Sequence, residues 1–509
     1  MNFSPAMGRL ITYALVLLCG ALLSQALAPR HWIWTVPVSL GLLPILLRQL
    51  ASASRWAIAG WTFGLGYFAF GLSWILEPFQ VDASRHGWMA PFALFFLSAG
   101  LSLFWAFAFW LAGRLRGGSW VQIVALTVFW SLAEFARAYL FTGFPWAAMG
   151  QFWIETPIAA LLAYIGPQGL GVLTLVTGLS LGAFVQERGS VLKRLTYLVP
   201  LAVLGILSFF AVSSEPVTYS GKTVRLIQPN APQHQKWDPA FIPTFYQRQL
   251  SLSSAAPEGR PPDLVIWPET SVPVLLGDAP EVLAQISSHA YNVPVIVGIQ
   301  SEDAGDYNNA LVQVGADGQV KNRYNKHHLV PFGEYVPLEN LMHQLGLSAL
   351  AATIPGGFSP GPGPQVIEIE GFGKLLPLIC YEAVFPQDIH ASDERPDLLV
   401  QITNDAWFGA FSGPYQHLVQ ARMRAVEQGV PMVRAANTGI SAVIDPHGRI
   451  VHALPLNEAG FLDAPVPLPL PATPYARTGD LPLLLLLLTM AALLRIRFWQ
   501  RASEPRAPI

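Results

Sequence analysis

Long apolar runs follow one another through the first part of the chain. After residue 213 they give way to short apolar runs separated by polar stretches. The long runs lie near 10–28, 32–50, 56–76, 90–113, 120–141, 158–184 and 194–212, with an eighth near 481–496 that contains LPLLLLLLTMAALL. A helix needs roughly 20 apolar residues to cross a bilayer, so the pattern predicts about eight membrane spans. The first run lacks a convincing signal-cleavage site and six more follow it, which marks it as a retained helix.

Basic residues alternate between the connecting loops. One set of loops holds Arg9, Arg48, Arg55, Arg114, Arg116, Arg188, Lys193 and Arg194, and the C-terminal tail adds Arg495, Arg497, Arg501 and Arg506. The other set holds little beyond Arg30 and Arg85. Basic loops stay in the cytoplasm, which predicts that the polar half lies outside and the tail inside. Three segments follow: a seven-helix bundle over 1–213, an extracytoplasmic domain over 214–475, and an eighth helix with its tail over 476–509.

Within the polar half, strand and helix patterns alternate. Val224–Gln228, Asp263–Trp267, Val293–Ile299, Leu375–Ile379, Leu398–Thr403, Met432–Ala435 and Ser441–Asp445 read as strands. Tyr307–Val314 and Val320–Tyr324 read as a hairpin. Pro239–Leu252, Pro280–His289 and Gln416–Gln428 have helical spacing. Such alternation implies α/β layers. The segment 343–364 is rich in Gly, Pro and Ala without clear periodicity and reads as a long loop, functional or mobile.

Composition agrees with a membrane protein. The 509 residues are 52% hydrophobic and only 12% charged, against roughly 25% charged in soluble domains. A net charge of −2 offers no basic face for nucleic acid. The two cysteines, Cys19 in an apolar run and Cys380 in the polar half, form no metal-ligand spacing and argue against a structural disulfide.

Candidate chemistry concentrates where apolar strands end. Glu269 follows DLVIWP, Lys326 lies in RYNKHHLVPFGEYVP, and Cys380 follows LLPLI. A thiol nucleophile needs a base to take its proton, and a carboxylate among apolar neighbours such as Trp267 can serve. A fixed ammonium stabilises the oxyanion formed from the attacked carbonyl. Each residue alone is weak evidence; the three at strand ends of one α/β segment are stronger.

The blocks Trp267-Pro268-Glu269-Thr270, Lys326 to Glu334 and Ile379-Cys380-Tyr381-Glu382 resemble those of the nitrilase (carbon–nitrogen hydrolase) superfamily, and most closely its membrane-embedded acyltransferase branch. The resemblance implies an αββα sandwich joined to about eight membrane helices, with Cys380 as nucleophile, Glu269 as general base and Lys326 as oxyanion stabiliser. It further implies that Glu334, Tyr381 and Glu382 support the site, and that Trp237, Trp407 and Asn309 lie at its entrance. The expected substrates are a phospholipid acyl donor and a diacylglyceryl-lipoprotein acceptor, at the outer face of a bacterial inner membrane, with no cofactor, metal or nucleic acid. A membrane-anchored amidase acting on a small amide is the second reading; a solute transporter is disfavoured by how few charges lie deep in the spans.

Other polar groups read as structural. Glu134 and Arg137, at (i, i+3), are expected to form an ion pair, and Gly143 to Trp146 an interfacial turn with an aromatic anchor. His327 and His328, being adjacent, do not share a helix face, so a metal pair is not expected. Arg422, Arg424 and Glu427 read as charges on a helix surface.

Overall fold

The computed structural model describes residues 4–115, 117–211, 216–337 and 357–503, with side chains to Arg497 in the last helix. Its contacts divide the chain into two units, Met1–Ser214 with Thr473–Ile509, and Glu215–Ala472.

Each of the eight apolar runs is helical in the first unit. Five helical stretches are long and apolar enough to cross a membrane: Pro5–Ala26, Ala83–Arg114, Ser119–Tyr139, Pro157–Gln186 and Val191–Ala211. The bent pair Ala53–Gly71 and Ser73–Gln80 makes a sixth if counted as one span. Thr35–Leu47 falls short at 13 residues, and Leu481–Ser503 carries the C-terminal apolar run. The expectation of eight thus stands at five or six by length and composition among the described residues. Pro5–Leu23 and Ala53–Gly71 approach closely, since a Cβ on Gly20 or Gly66 would collide with the backbone of Phe63 or Leu17. Small residues allow such helix contacts in lipid.

Glu134 and Arg137 form the expected ion pair, 2.6 Å apart and buried. Trp105 Nε1 donates to Glu134 Oε1 at 2.7 Å, and Arg137 Nη1 to the Trp146 carbonyl at 2.8 Å. Trp146 is no interfacial anchor. It is fully buried, its ring 4.5 Å from that of Trp74, because the Arg137 guanidinium needs the carbonyls of this turn and draws it inward.

The second unit contains two six-stranded sheets. The first has the order β12 (Gly460–Pro467), β1 (Tyr219–Gln228), β2 (Leu264–Ile266), β3 (Val295–Asp303), β4 (Asp306–Val314), β5 (Val320–Asn325). The second has the order β11 (Ile450–Leu454), β10 (Ser441–Ile444), β9 (Met432–Ala436), β8 (Leu398–Thr403), β7 (Gly373–Ile379), β6 (Ile367–Ile369). Each has three parallel strands at its centre: β1–β2–β3, and β7–β8–β9. Parallel strands are covered on both faces and so read as continuous apolar runs, as VIVGI and LLPLI do.

Alternating residues explain the layers. Leu226, Leu264 and Ile266 of the first sheet meet Leu375, Ile379 and Ile402 of the second in one core. Val265, Val295 and Val297 face the opposite way onto helix residues Leu250, Leu283 and Ile286. Leu376, Leu378 and Leu399 likewise face Leu418, Ala421 and Ala425 of the helix Gly413–Gln428. The result is an αββα sandwich. That last helix is more deeply buried than its charges suggest: Arg424 and Glu427 are enclosed, not a surface pair, with Nη2 and Oε1 2.6 Å apart. Arg424 Nη1 also donates to the Val384 carbonyl at 3.1 Å, so a contact after β7 turns this face inward.

Candidate active site

Three strand ends deliver the expected residues. Glu269 lies three residues beyond β2, Lys326 directly follows β5, and Cys380 directly follows β7. All three are buried. Cys380 has φ +52°, and Thr270, next to Glu269, has φ +44°. Left-handed backbone is costly for residues other than glycine, about 1–3 kcal/mol each, and such strain clusters at functional sites. The Glu269 turn rests directly on β3: a Cβ on Gly298 would come within 2.6 Å of Glu269 Cα, so this close approach requires glycine.

The carboxylate of Glu269 sits in a polar ring. Oε1 accepts from Asn309 Nδ2 at 2.7 Å and lies 3.8 Å from Lys326 Nζ; Oε2 accepts from the Asn404 N–H at 2.8 Å. The expected apolar neighbour Trp267 is elsewhere, packed in the helix-facing layer with Nε1 donating to Ser253 Oγ at 2.8 Å. Alternation keeps Trp267 with Val265 on the helix-facing side, and the turn that follows the strand, with Thr270 at φ +44°, carries Glu269 away from it.

Lys326 Nζ donates to Glu334 Oε1 at 2.8 Å, and Glu334 Oε2 accepts from the Val330 N–H at 2.8 Å. Burial alone would lower the Lys326 pKa, but Glu334, Glu269 and Cys380 outweigh it and keep the ammonium well above its ordinary value. Burial, then the charge of Glu269, pushes the Cys380 thiol up, against the pull of Lys326.

Glu382 is fully buried and staples two of the strand ends together. Its Oε1 accepts from Tyr324 Oη at 2.9 Å and from the His327 N–H at 2.8 Å; its Oε2 accepts from the Ile379 N–H at 2.7 Å. Tyr381 packs its ring 4.9 Å from that of Phe385. Trp237 and Trp407 are partly exposed. Of the loop 343–364, residues up to 356 lie outside the described residues. The part described follows the site: the Gly361 N–H donates to the Lys326 carbonyl and the Phe358 N–H to that of Glu334, each at 2.8 Å.

Several polar residues here carry no signal in local spacing. Lys236 is buried beside Glu269, donating to its carbonyl at 3.1 Å and to Thr270 Oγ1 at 2.9 Å. Burial pulls its pKa down to about 8, against the charges of Glu269 and Cys380. It lines a small, partly open cleft with Trp237, Phe245, Tyr246 and Thr270. Asp388 draws in both histidines, with Oδ2 3.3 Å from His327 Nε2 and 2.9 Å from His328 Nδ1. Among the described residues, His327, His328 and Asp388 have ligand atoms all within 4.8 Å of one another, close enough to hold a metal ion.

The second unit is matched by the family model for carbon–nitrogen hydrolases over residues 223–471. It therefore belongs to the class of α/β domains that the fold and the strand-end Glu, Lys and Cys define. The model for the apolipoprotein N-acyltransferase N-terminal domain matches residues 19–180. Apolipoprotein N-acyltransferase of Rhodopseudomonas palustris is 39% identical over 95% of both chains. That of Bradyrhizobium diazoefficiens is 38% identical, covering 94% of this chain and 93% of its own. An amidase from Nesterenkonia sp. superposes with a TM-score of 0.36 at 21% identity, over 53% of this chain and 98% of its own. The chain belongs to the apolipoprotein N-acyltransferase family, and it is a multi-pass membrane protein.

Proposed function

We propose that this protein transfers an acyl chain from a phospholipid to the α-amino group of the N-terminal S-diacylglyceryl cysteine of apolipoproteins. The observation that carries the reading is a buried Cys380, held in left-handed backbone, electrostatically coupled to Glu269 and Lys326, on a chain with five or six membrane-length helices. Glu269 takes the proton from Cys380, whose thiolate attacks the donor ester. The Lys326 ammonium stabilises the oxyanion, and as it collapses the lysophospholipid leaves as an alcohol with the proton that Glu269 returns. The acceptor amine then attacks the thioester; Glu269 takes a proton from that amine and returns it to the departing Cys380 sulfur. Because burial keeps the resting thiol protonated, a base is required for the first step.

The membrane helices suit this chemistry. Lifting an acyl chain of about 14 carbons into water costs on the order of 10 kcal/mol, at about 0.8 kcal/mol per CH₂, and a site beside the bilayer avoids that cost. Trp237, Trp407 and the described end of the loop, residues 357–364, form the entrance in this reading, supported by the docking of residues 358 and 361 against Glu334 and Lys326. The catalytic domain faces the periplasm from the inner membrane, as the basic loops indicate. A reporter joined after Ser214 is then active only outside the cytoplasm; activity inside reverses the assignment.

Purified protein given phospholipid and a diacylglyceryl peptide should yield the N-acylated peptide. Turnover of a small amide with none of the lipidated peptide would replace this reading with an amidase.

A further inference from the structure

Gln401, Asp405, His417 and Arg434 take no part in the proposed chemistry, yet all four are fully buried beside Cys380. They come from separate elements: Gln401 from β8, Asp405 from the turn after it, His417 from the helix Gly413–Gln428, and Arg434 from β9. Two of them meet one backbone atom. Gln401 Nε2 donates to the Cys380 carbonyl oxygen at 3.0 Å, and His417 Nε2 stands 3.0 Å from the same oxygen.

The other two hold this pair in place. Arg434 Nη1 donates to Gln401 Oε1 at 2.5 Å, and its Nη2 donates to Asp405 Oδ2. Asp405 Oδ1 lies 2.9 Å from His417 Nδ1 and accepts from Thr403 Oγ1 at 2.9 Å. Although burial opposes it, Arg434 and His417 hold the Asp405 carboxyl well below the usual range. Gly439 makes room for this carboxylate, since a Cβ there would collide with Oδ2.

Stability alone does not account for this cluster. Replacing buried ionic groups by well-packed apolar side chains is often neutral or stabilising. The carbonyl they grip, however, belongs to a residue with φ +52°, a conformation that persists only where its surroundings over-determine it.

We propose that Gln401 and His417 are positioning residues that grip the Cys380 carbonyl, hold the nucleophile in its left-handed conformation and fix the peptide plane between residues 380 and 381. In a trans peptide the N–H points opposite to the C=O, so the same grip sets the direction of the Tyr381 N–H. The inference rests on Cys380 being the nucleophile. Misplacing a reacting group by about 1 Å costs on the order of 10²-fold in rate.

The test compares His417→Met and Gln401→Met, which remove the polar contact to the Cys380 carbonyl at similar volume, with His417→Gln, which places an amide N–H near the Nε2 position. Each Met variant should lower kcat and the rate of Cys380 acylation by phospholipid about 10²-fold, with KM within twofold of the parent and an unchanged folded fraction. His417→Gln should recover most of the loss. Met variants with parental kcat overturn the proposal, as does a loss that merely tracks the unfolded fraction or a Gln variant as impaired as His417→Met. Cys380→Ala, run in parallel, separates the two claims: if it stays active, the nucleophile reading fails, whereas if it is inactive beside fully active Met variants, only the positioning role fails.

Discussion

Lys326 Nζ lies 2.8 Å from Glu334 Oε1 and 3.8 Å from Glu269 Oε1. One acid binds the lysine directly while the other is held chiefly by Asn309 and the Asn404 N–H. In the proposed mechanism the division matters because the two carboxylates carry different tasks. Glu334 anchors the ammonium, and Glu269 keeps an oxygen close to it without being tied up by it.

The ammonium itself is expected to act on the developing oxyanion. Lys326→Met keeps much of the stem and removes the charge, and loss of one such donor costs roughly 10²–10³-fold in kcat. Steady-state rates at saturating phospholipid measure it. A variant within a factor of a few of the parent contradicts the assignment of Lys326.

Gly298 is expected to be intolerant of any side chain. A Cβ would press on Glu269 Cα, the Thr270 nitrogen at 2.5 Å and the Pro268 carbonyl oxygen at 2.6 Å. These are backbone atoms, so relief requires moving the turn that carries Glu269. Gly298→Ala should cost about 1–3 kcal/mol of stability and depress turnover of the folded fraction. Thermal unfolding together with rate per folded molecule checks this, and parental values for both refute the close approach.

His327 makes stability depend on pH. Burial lowers its pKa, but the neighbouring carboxylates of Asp388 and Glu382, 3.3 and 2.7 Å from its ring nitrogens, outweigh this and raise it from 6.5 to about 9. A base whose folded pKa is raised contributes stability that is fully present below about pH 6.5 and is lost as pH rises through about 9. His327→Gln removes the titration. The stability advantage of the parent over this variant should therefore shrink between about pH 6 and pH 9.5. Denaturation midpoints at the two pH values decide it, and an advantage that does not change rules out the raised pKa.

Much of the candidate site was legible because two of its three central residues, Glu269 and Cys380, sit where apolar runs stop. Glu269 and Cys380 each follow a strand whose buried character is plain from composition, whereas Lys326 follows the polar strand VKNRYN, of which only Tyr324 is buried. The closing strand Gly460–Pro467 was not, since Pro465 and Pro467 argue against a strand. It is an edge strand, where missing N–H donors are tolerated. The cluster around the Cys380 carbonyl was also invisible. Gln401, Asp405, His417 and Arg434 are brought together by four separate elements, and no local spacing links them. Trp146 and the Arg424–Glu427 pair were expected at surfaces because polar or interfacial residue types usually lie there. Their burial depends on partners distant in sequence or supplied by another turn.

The central claim is that the acyl chain rests on Cys380 between donor and acceptor. Intact mass spectrometry of purified protein, incubated with phospholipid and no acceptor, addresses it directly. The account predicts a single added acyl chain, removed by hydroxylamine, absent from Cys380→Ala and discharged when a diacylglyceryl peptide is added. Full turnover in the complete reaction with no such adduct from phospholipid alone would show that transfer is direct and that Cys380 is not the nucleophile.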